Sequence, residues 1–172
     1  MPVTPTQPRW ISALIWTGAA LFAFALIISA VFEPSIRVLH TLQTLIYVAV
    51  VVLARRNNAW GLGAGVLMSA FWNYVNLFVA NSIPNGARQF LLLLETGHAA
   101  RPDQLIGLIA GVGHCLLIIG CGAAFLRLKP KGRAWAEFAG GGAIAIGYFL
   151  LIVLIAGRQY LPLMRRVFGI GA

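Results

Sequence analysis

Acids are the scarcest feature of this chain. Only four of its 172 residues are Asp or Glu, against 13 Lys and Arg, and charged residues of both signs make up 10%. A water-soluble domain carries about 25% charged residues, so this chain cannot cover an aqueous surface. That excludes a soluble enzyme or binding module. At this length, residues 1–172 read as one membrane domain. The positions of the acids exclude more. Glu33, Glu95, Asp103 and Glu137 all lie at or outside the ends of the apolar runs. A proton-coupled carrier or an intramembrane cation site normally keeps a carboxylate within the bilayer, and the runs hold none.

Cysteine is almost as rare. Cys115 and Cys121 lie six residues apart in one apolar run. On a helix that spacing puts them on different faces, so they cannot bridge each other. They read as small buried hydrophobes. Catalytic signatures are missing too: there is no His-x-x-x-His with a Glu, no Gly-x-Ser-x-Gly and no phosphate loop. Chemistry would have to run on His, Tyr, Asn and Cys alone, so the expected class is a non-catalytic protein. The net charge of +9 does not point to nucleic acid, because the basic residues fall between apolar runs and form no stripe interleaved with aromatics.

What is present is apolar length. Sixty per cent of the residues are hydrophobic and the mean hydropathy is +0.86. A bilayer core is crossed by about 20 apolar residues in a helix. Five stretches qualify, at about 11–32, 35–54, 60–83, 105–128 and 138–157. The expected fold is therefore all-α, a polytopic transmembrane helical bundle of about five spans. Pro34 suits the first turn of the second span. The first run is too long for a signal-peptide core and is expected to persist as a helix.

Lys and Arg between the runs set the orientation. Arg55 and Arg56 follow the second run, and Arg127, Lys129, Lys131 and Arg133 follow the fourth. Both groups are expected on the cytoplasmic side of a bacterial cytoplasmic membrane, with Arg9 and the amino terminus inside. Trp10, Trp60 and Trp135 then anchor the inner interface. Arg158, Arg165 and Arg166 fall outside against the rule, a cost that a carboxyl-terminal segment removes if it stops short or re-enters. Residues 84–104 are expected outside. Asn85-Gly86 is expected to turn the chain after the third span, and Gly97 to end a short helix over residues 87–96. That helix is expected in the interface or folded over the mouth of the bundle.

The polar residues inside the runs form stripes at helical spacing. The third run carries Ser69, Asn73 and Asn76, the second His40, Gln43 and Tyr47, and the fourth Gly107, Gly111 and His114. In the expected orientation His40, Gln43, Asn76 and His114 all fall in the outer half of the membrane, so the stripes converge. His40, Gln43, Tyr47, Ser69, Asn73, Asn76 and His114 form the candidate ligand-binding set, with no catalytic residue and no metal site expected. Three readings compete. The cluster stabilises the bundle by interhelical hydrogen bonds worth about 0.6 kcal/mol each, or lines a polar cavity for a small neutral ligand, or carries a b-type haem between His40 and His114. The expected state is cofactor-free, with both histidines hydrogen-bonded within the bundle, where Gln43 or Asn73 would satisfy either ring. Expected partners are the lipid bilayer and other membrane subunits, or further copies of the chain, through the Gly-rich face of Gly140, Gly141, Gly142 and the Ala143–Gly147 pair.

Overall fold

The computed structural model describes residues 7–129 and 132–169. Every regular element in them is helical. Helix α1 spans Arg9–Phe32, and a 3₁₀ turn at Pro34–Ile36 leads into α2, Arg37–Arg55. Helix α3, Ala59–Tyr74, continues as a π-helical turn over Val75–Val79. Helix α4 covers Ser82–Thr96, and a second 3₁₀ turn at Pro102–Gln104 opens α5, Leu105–Arg127. Helix α6 runs Gly132–Ala156, and a third 3₁₀ turn at Arg158–Tyr160 precedes the short α7, Leu161–Val167. Five of these, α1, α2, α3 with its π turn, α5 and α6, are long and apolar enough to cross a membrane. The protein is an integral membrane helical bundle.

One end of the bundle, here the arginine end, holds the start of α1, the α2–α3 connection and the α5–α6 connection. Asn58 starts α3 there: its Oδ1 accepts from the backbone N–H groups of Trp60 and Gly61 at 2.9 and 3.4 Å, capping donors that a helix start leaves free. Trp10, Trp60 and Trp135 are exposed at this end. The opposite end carries α4 and the 3₁₀ turns.

Lipid tails are as apolar as leucine, so helices in a bilayer associate through close packing. Glycine supplies it here. In the α1–α5 seam, a methyl group on Gly18 would lie 2.7 Å from the Gly113 carbonyl oxygen. In the α3–α6 seam, one on Gly63 would collide with the Phe138 carbonyl, and one on Gly141 with the Trp60 carbonyl. The glycines at the start of α6 thus spend their close approach inside the chain, with Gly140 against the Trp60 ring and Gly142 against Leu67. Gly147 meets nothing within 4 Å.

The structure departs from the sequence reading after the third span. Asn85-Gly86 is not a turn. The helix stops at Val79, the chain breaks at Asn81 in the left-handed region with φ 56°, and α4 starts at Ser82, five residues earlier than expected. Asparagine tolerates that conformation, and Pro84 fits a first helical turn. Gly86 is used for proximity instead: its Cβ would stand 2.7 Å from the Gln104 carbonyl oxygen. Helix α4 runs antiparallel along the start of α5. Ser82 lies against Gly107, Ile83 against Gly111, and the Arg101 N–H donates to Gln89 Oε1 at 2.8 Å. Gly97, at φ 71°, ends it as the sequence implied. Replacing Gly107 by valine is expected to push α4 off α5. Amide exchange should then speed up over residues 82–96 while α1 and α6 keep their protection. Unchanged exchange in α4 would refute the seam.

The tail folds back. Met164 is buried, and the Phe168 ring stacks over Phe71 of α3 at 6.5 Å between centroids. Arg165 and Arg166 stay exposed on the other side of α7.

Candidate functional site

The π turn marks the site. In it the Ala80 N–H donates to the Val75 carbonyl five residues back, at 2.8 Å, and the Asn76 side-chain Nδ2 donates to the Trp72 carbonyl, also at 2.8 Å. Such wide turns recur at functional sites because they re-aim side chains within an otherwise straight helix. Here Trp72 and Asn76 both face a cavity of about 390 Å³ at the α4 end of the bundle. All five spans contribute. Phe22 and Leu26 come from α1, His40 and Gln43 from α2, Ala110 from α5, and Phe149 from α6. Ser82, Asn85, Asp103, Gln104 and Tyr160 stand around the mouth.

Charge is sparse. Asp103 is the acid in the lining, and Arg101 pairs with it at 2.9 Å. Burial, reinforced by the negative charge of Glu33, pushes the Tyr160 phenol up to about 12, so it stays neutral at the mouth at physiological pH.

The polar walls have defined roles. His40 Nδ1 lies 3.0 Å from the Leu26 carbonyl oxygen. A carbonyl can only accept, so Nδ1 carries the proton, and in the neutral ring Nε2 is left as an acceptor. One turn deeper on the same helix face, Gln43 is 1% exposed and its Nε2 has no partner among the described residues. The Trp72 indole N–H, also in the lining, has none either.

Beneath this layer Tyr47 and His114 form a buried pair, with the Tyr47 hydroxyl 2.8 Å from His114 Nε2. Phe22 covers both rings, with centroids 4.3 Å from Tyr47 and 4.1 Å from His114. On α3, Asn73 Nδ2 donates to Cys115 Sγ at 3.4 Å, while Ser69 is fully buried with its hydroxyl unpartnered. Further toward the arginine end the interior is apolar, with Val50, Leu62, Leu117, Cys121 and Phe125 all buried. The cavity is therefore one-sided.

Of the seven sequence candidates, His40, Gln43 and Asn76 line the cavity, Tyr47 and His114 pair below it, Asn73 bonds to α5 and Ser69 is buried, both outside the lining. Both histidines are hydrogen-bonded within the bundle, to the Leu26 carbonyl and to Tyr47 rather than to Gln43 or Asn73. The reason is α1, which brings a backbone oxygen to His40 and the Phe22 ring to His114. Sequence reasoning passed over Phe22, Trp72 and Phe149. Trp72 carried a signal, since an indole N–H well inside a span needs a partner there.

Among the described residues no three His, Cys, Asp or Glu side chains gather to hold a metal ion. A haem iron held by both histidines would require His114 Nε2 to leave Tyr47, or Phe22 to withdraw from the ring. Compared with protein-family models, curated proteins and solved structures, the chain matches none.

Proposed function

We propose that this protein holds a small uncharged ligand in the cavity at the α4 end, as a binding protein or as the ligand-holding subunit of a larger membrane complex. The observation that carries this reading is Gln43, a wholly buried amide in the cavity wall with its N–H₂ unpartnered. Leaving such a donor unsatisfied costs about 1–3 kcal/mol, which a ligand acceptor recovers. A volume of about 390 Å³ suits a small organic molecule. Among the described residues no Lys or Arg lines the space and the one acid in the lining is already paired, so a charged ligand finds no counter-ion there. The apolar floor argues for capture from one side rather than conduction.

That side is the outer one in our reading. Along the sequence, seven of the 13 Lys and Arg precede the first apolar run or fall at the second-to-third and fourth-to-fifth connections, with one acid, whereas six share the other connections and the tail with three acids. The bias supports an amino terminus in the cytoplasm. In a chain with Cys115 and Cys121 replaced by alanine, His98→Cys on intact cells should react with an impermeant maleimide. Labelling only after lysis would invert the orientation.

Ala110→Phe tests the cavity by filling it. Native mass spectrometry of wild-type protein extracted from its membrane should detect a bound small molecule that Ala110→Phe lacks. An identical ligand-free spectrum for both, with no thermal shift from a library of neutral compounds, would overturn the proposal. The same preparation decides the haem alternative. A Soret band lost in both His40→Ala and His114→Ala would replace our reading with a redox one. The expected visible spectrum is featureless.

A further inference from the structure

Two polar groups that α2 brings to the cavity wall differ in hydrogen-bonding sense. His40 Nδ1 is fixed as a donor to the Leu26 carbonyl, which makes Nε2 an acceptor in the neutral ring. Gln43 follows at i+3 on the same face of α2, with a free amide donor. One group wants to receive a proton and its neighbour wants to give one. A carbonyl oxygen satisfies only Gln43, and an ammonium satisfies only His40. A hydroxyl satisfies both, because its O–H donates while its lone pairs accept.

The surroundings specify the rest of the molecule. Phe22, Trp72 and Phe149 bring aromatic rings to the lining, with Trp72 and Phe149 already edge-on at 4.8 Å between centroids. Such walls favour a flat, apolar body stacked or edge-on against them. Building on the cavity reading above, we infer that the ligand is an uncharged hydroxylated aromatic, with its hydroxyl bridging His40 Nε2 and the Gln43 amide. A phenolate is disfavoured, because it would lose the donor that His40 requires and would find no cation in the lining.

Fluorine NMR on the full chain in nanodiscs tests this with three probes: a fluoronaphthol, the matching fluoronaphthalene and a fluoronaphthoate, each corrected against empty nanodiscs for lipid partitioning. The naphthol is expected to bind about tenfold or more tightly than the naphthalene, the preference of at least one well-made hydrogen bond. The naphthoate should not bind. His40→Leu and Gln43→Leu should each lower naphthol affinity about tenfold while leaving naphthalene affinity within about twofold. Ala110→Phe should abolish both. Where His40→Leu fails to fold, the wild-type preference and Gln43→Leu decide alone. Equal binding of naphthol and naphthalene, both lost in Ala110→Phe, would discard the hydroxyl assignment and leave the cavity reading standing. Naphthol binding that survives Ala110→Phe, or preferred binding of the naphthoate, would also overturn the inference. If neither neutral probe exceeds empty nanodiscs, the inference and the cavity reading fall together.

Discussion

Gly63→Ala should remove most of the folded protein, although it adds a single methyl group. In a water-soluble helix that exchange is favourable by about 1 kcal/mol, because alanine gives up less backbone freedom on folding. Here the new methyl would be driven into the backbone carbonyl of Phe138. A flexible side chain could swing away, but a helix backbone cannot, so α3 and α6 must separate along their whole seam. Overpacking of this kind costs about 1–3 kcal/mol and more where nothing can yield. Membrane helices gain their association chiefly from such contact, so the loss is not offset by apolar burial elsewhere. Gly141→Ala, which meets the Trp60 carbonyl from the other side of the same seam, should behave alike. Gly122→Ala is the matched control, since nothing lies within 4 Å of its added methyl. The measurement is the fraction surviving detergent extraction as a monodisperse peak, followed by thermal unfolding. Equal survival of Gly63→Ala and Gly122→Ala would refute the backbone contact.

The second large effect is expected at the Tyr47–His114 pair. His114→Ala removes a fully buried ring that packs against Phe22 and strands the tyrosine hydroxyl. The cavity left behind should cost about 2–5 kcal/mol. Tyr47→Phe keeps the shape and deletes only the hydroxyl. It leaves His114 Nε2 without a partner, when Nδ1 has none already, at about 1–3 kcal/mol. A double-mutant cycle using His114→Leu isolates the bond itself. Interhelical hydrogen bonds in membranes average about 0.6 kcal/mol and reach about 1.7. This one is short and sealed beneath an aromatic ring, so the coupling should fall in the upper half of that range. Reversible unfolding in bicelles measures it. A coupling near zero would mean that the two rings are not bonded. Both variants should retain part of their hydroxynaphthalene binding, because neither residue lines the cavity.

Much of this was legible in the chain before any coordinates. Lack of acid and abundance of apolar length settle membrane residence, since no arrangement of so few charges could cover a surface in water. The five spans follow from the same arithmetic, because bilayer thickness fixes helix length. Helical spacing put His40 and Gln43 on one face, the alternation of spans put Asn76 at their depth, and all three meet at one cavity.

Other features depend on which helix stands beside which. Asn85-Gly86 has the local chemistry of a turn, yet it lies inside α4. Packing decided this: Gly86 is needed against the start of α5, and Asn81 absorbs the break instead. The histidine partners were likewise beyond local reasoning. Both owe part of their setting to α1, which presents a carbonyl to His40 and a phenyl ring to His114. A carbonyl oxygen belongs to every residue and leaves no trace in composition or spacing. The cavity itself is a gap among five helices, and its unpartnered amide is visible only once every neighbour of Gln43 is in place. The sequence alone determined the solvent, the number of spans and the faces that turn inward. The tertiary structure decided what those faces meet, because hydrogen bonds and close packing depend on separations of a few ångströms that no periodicity encodes.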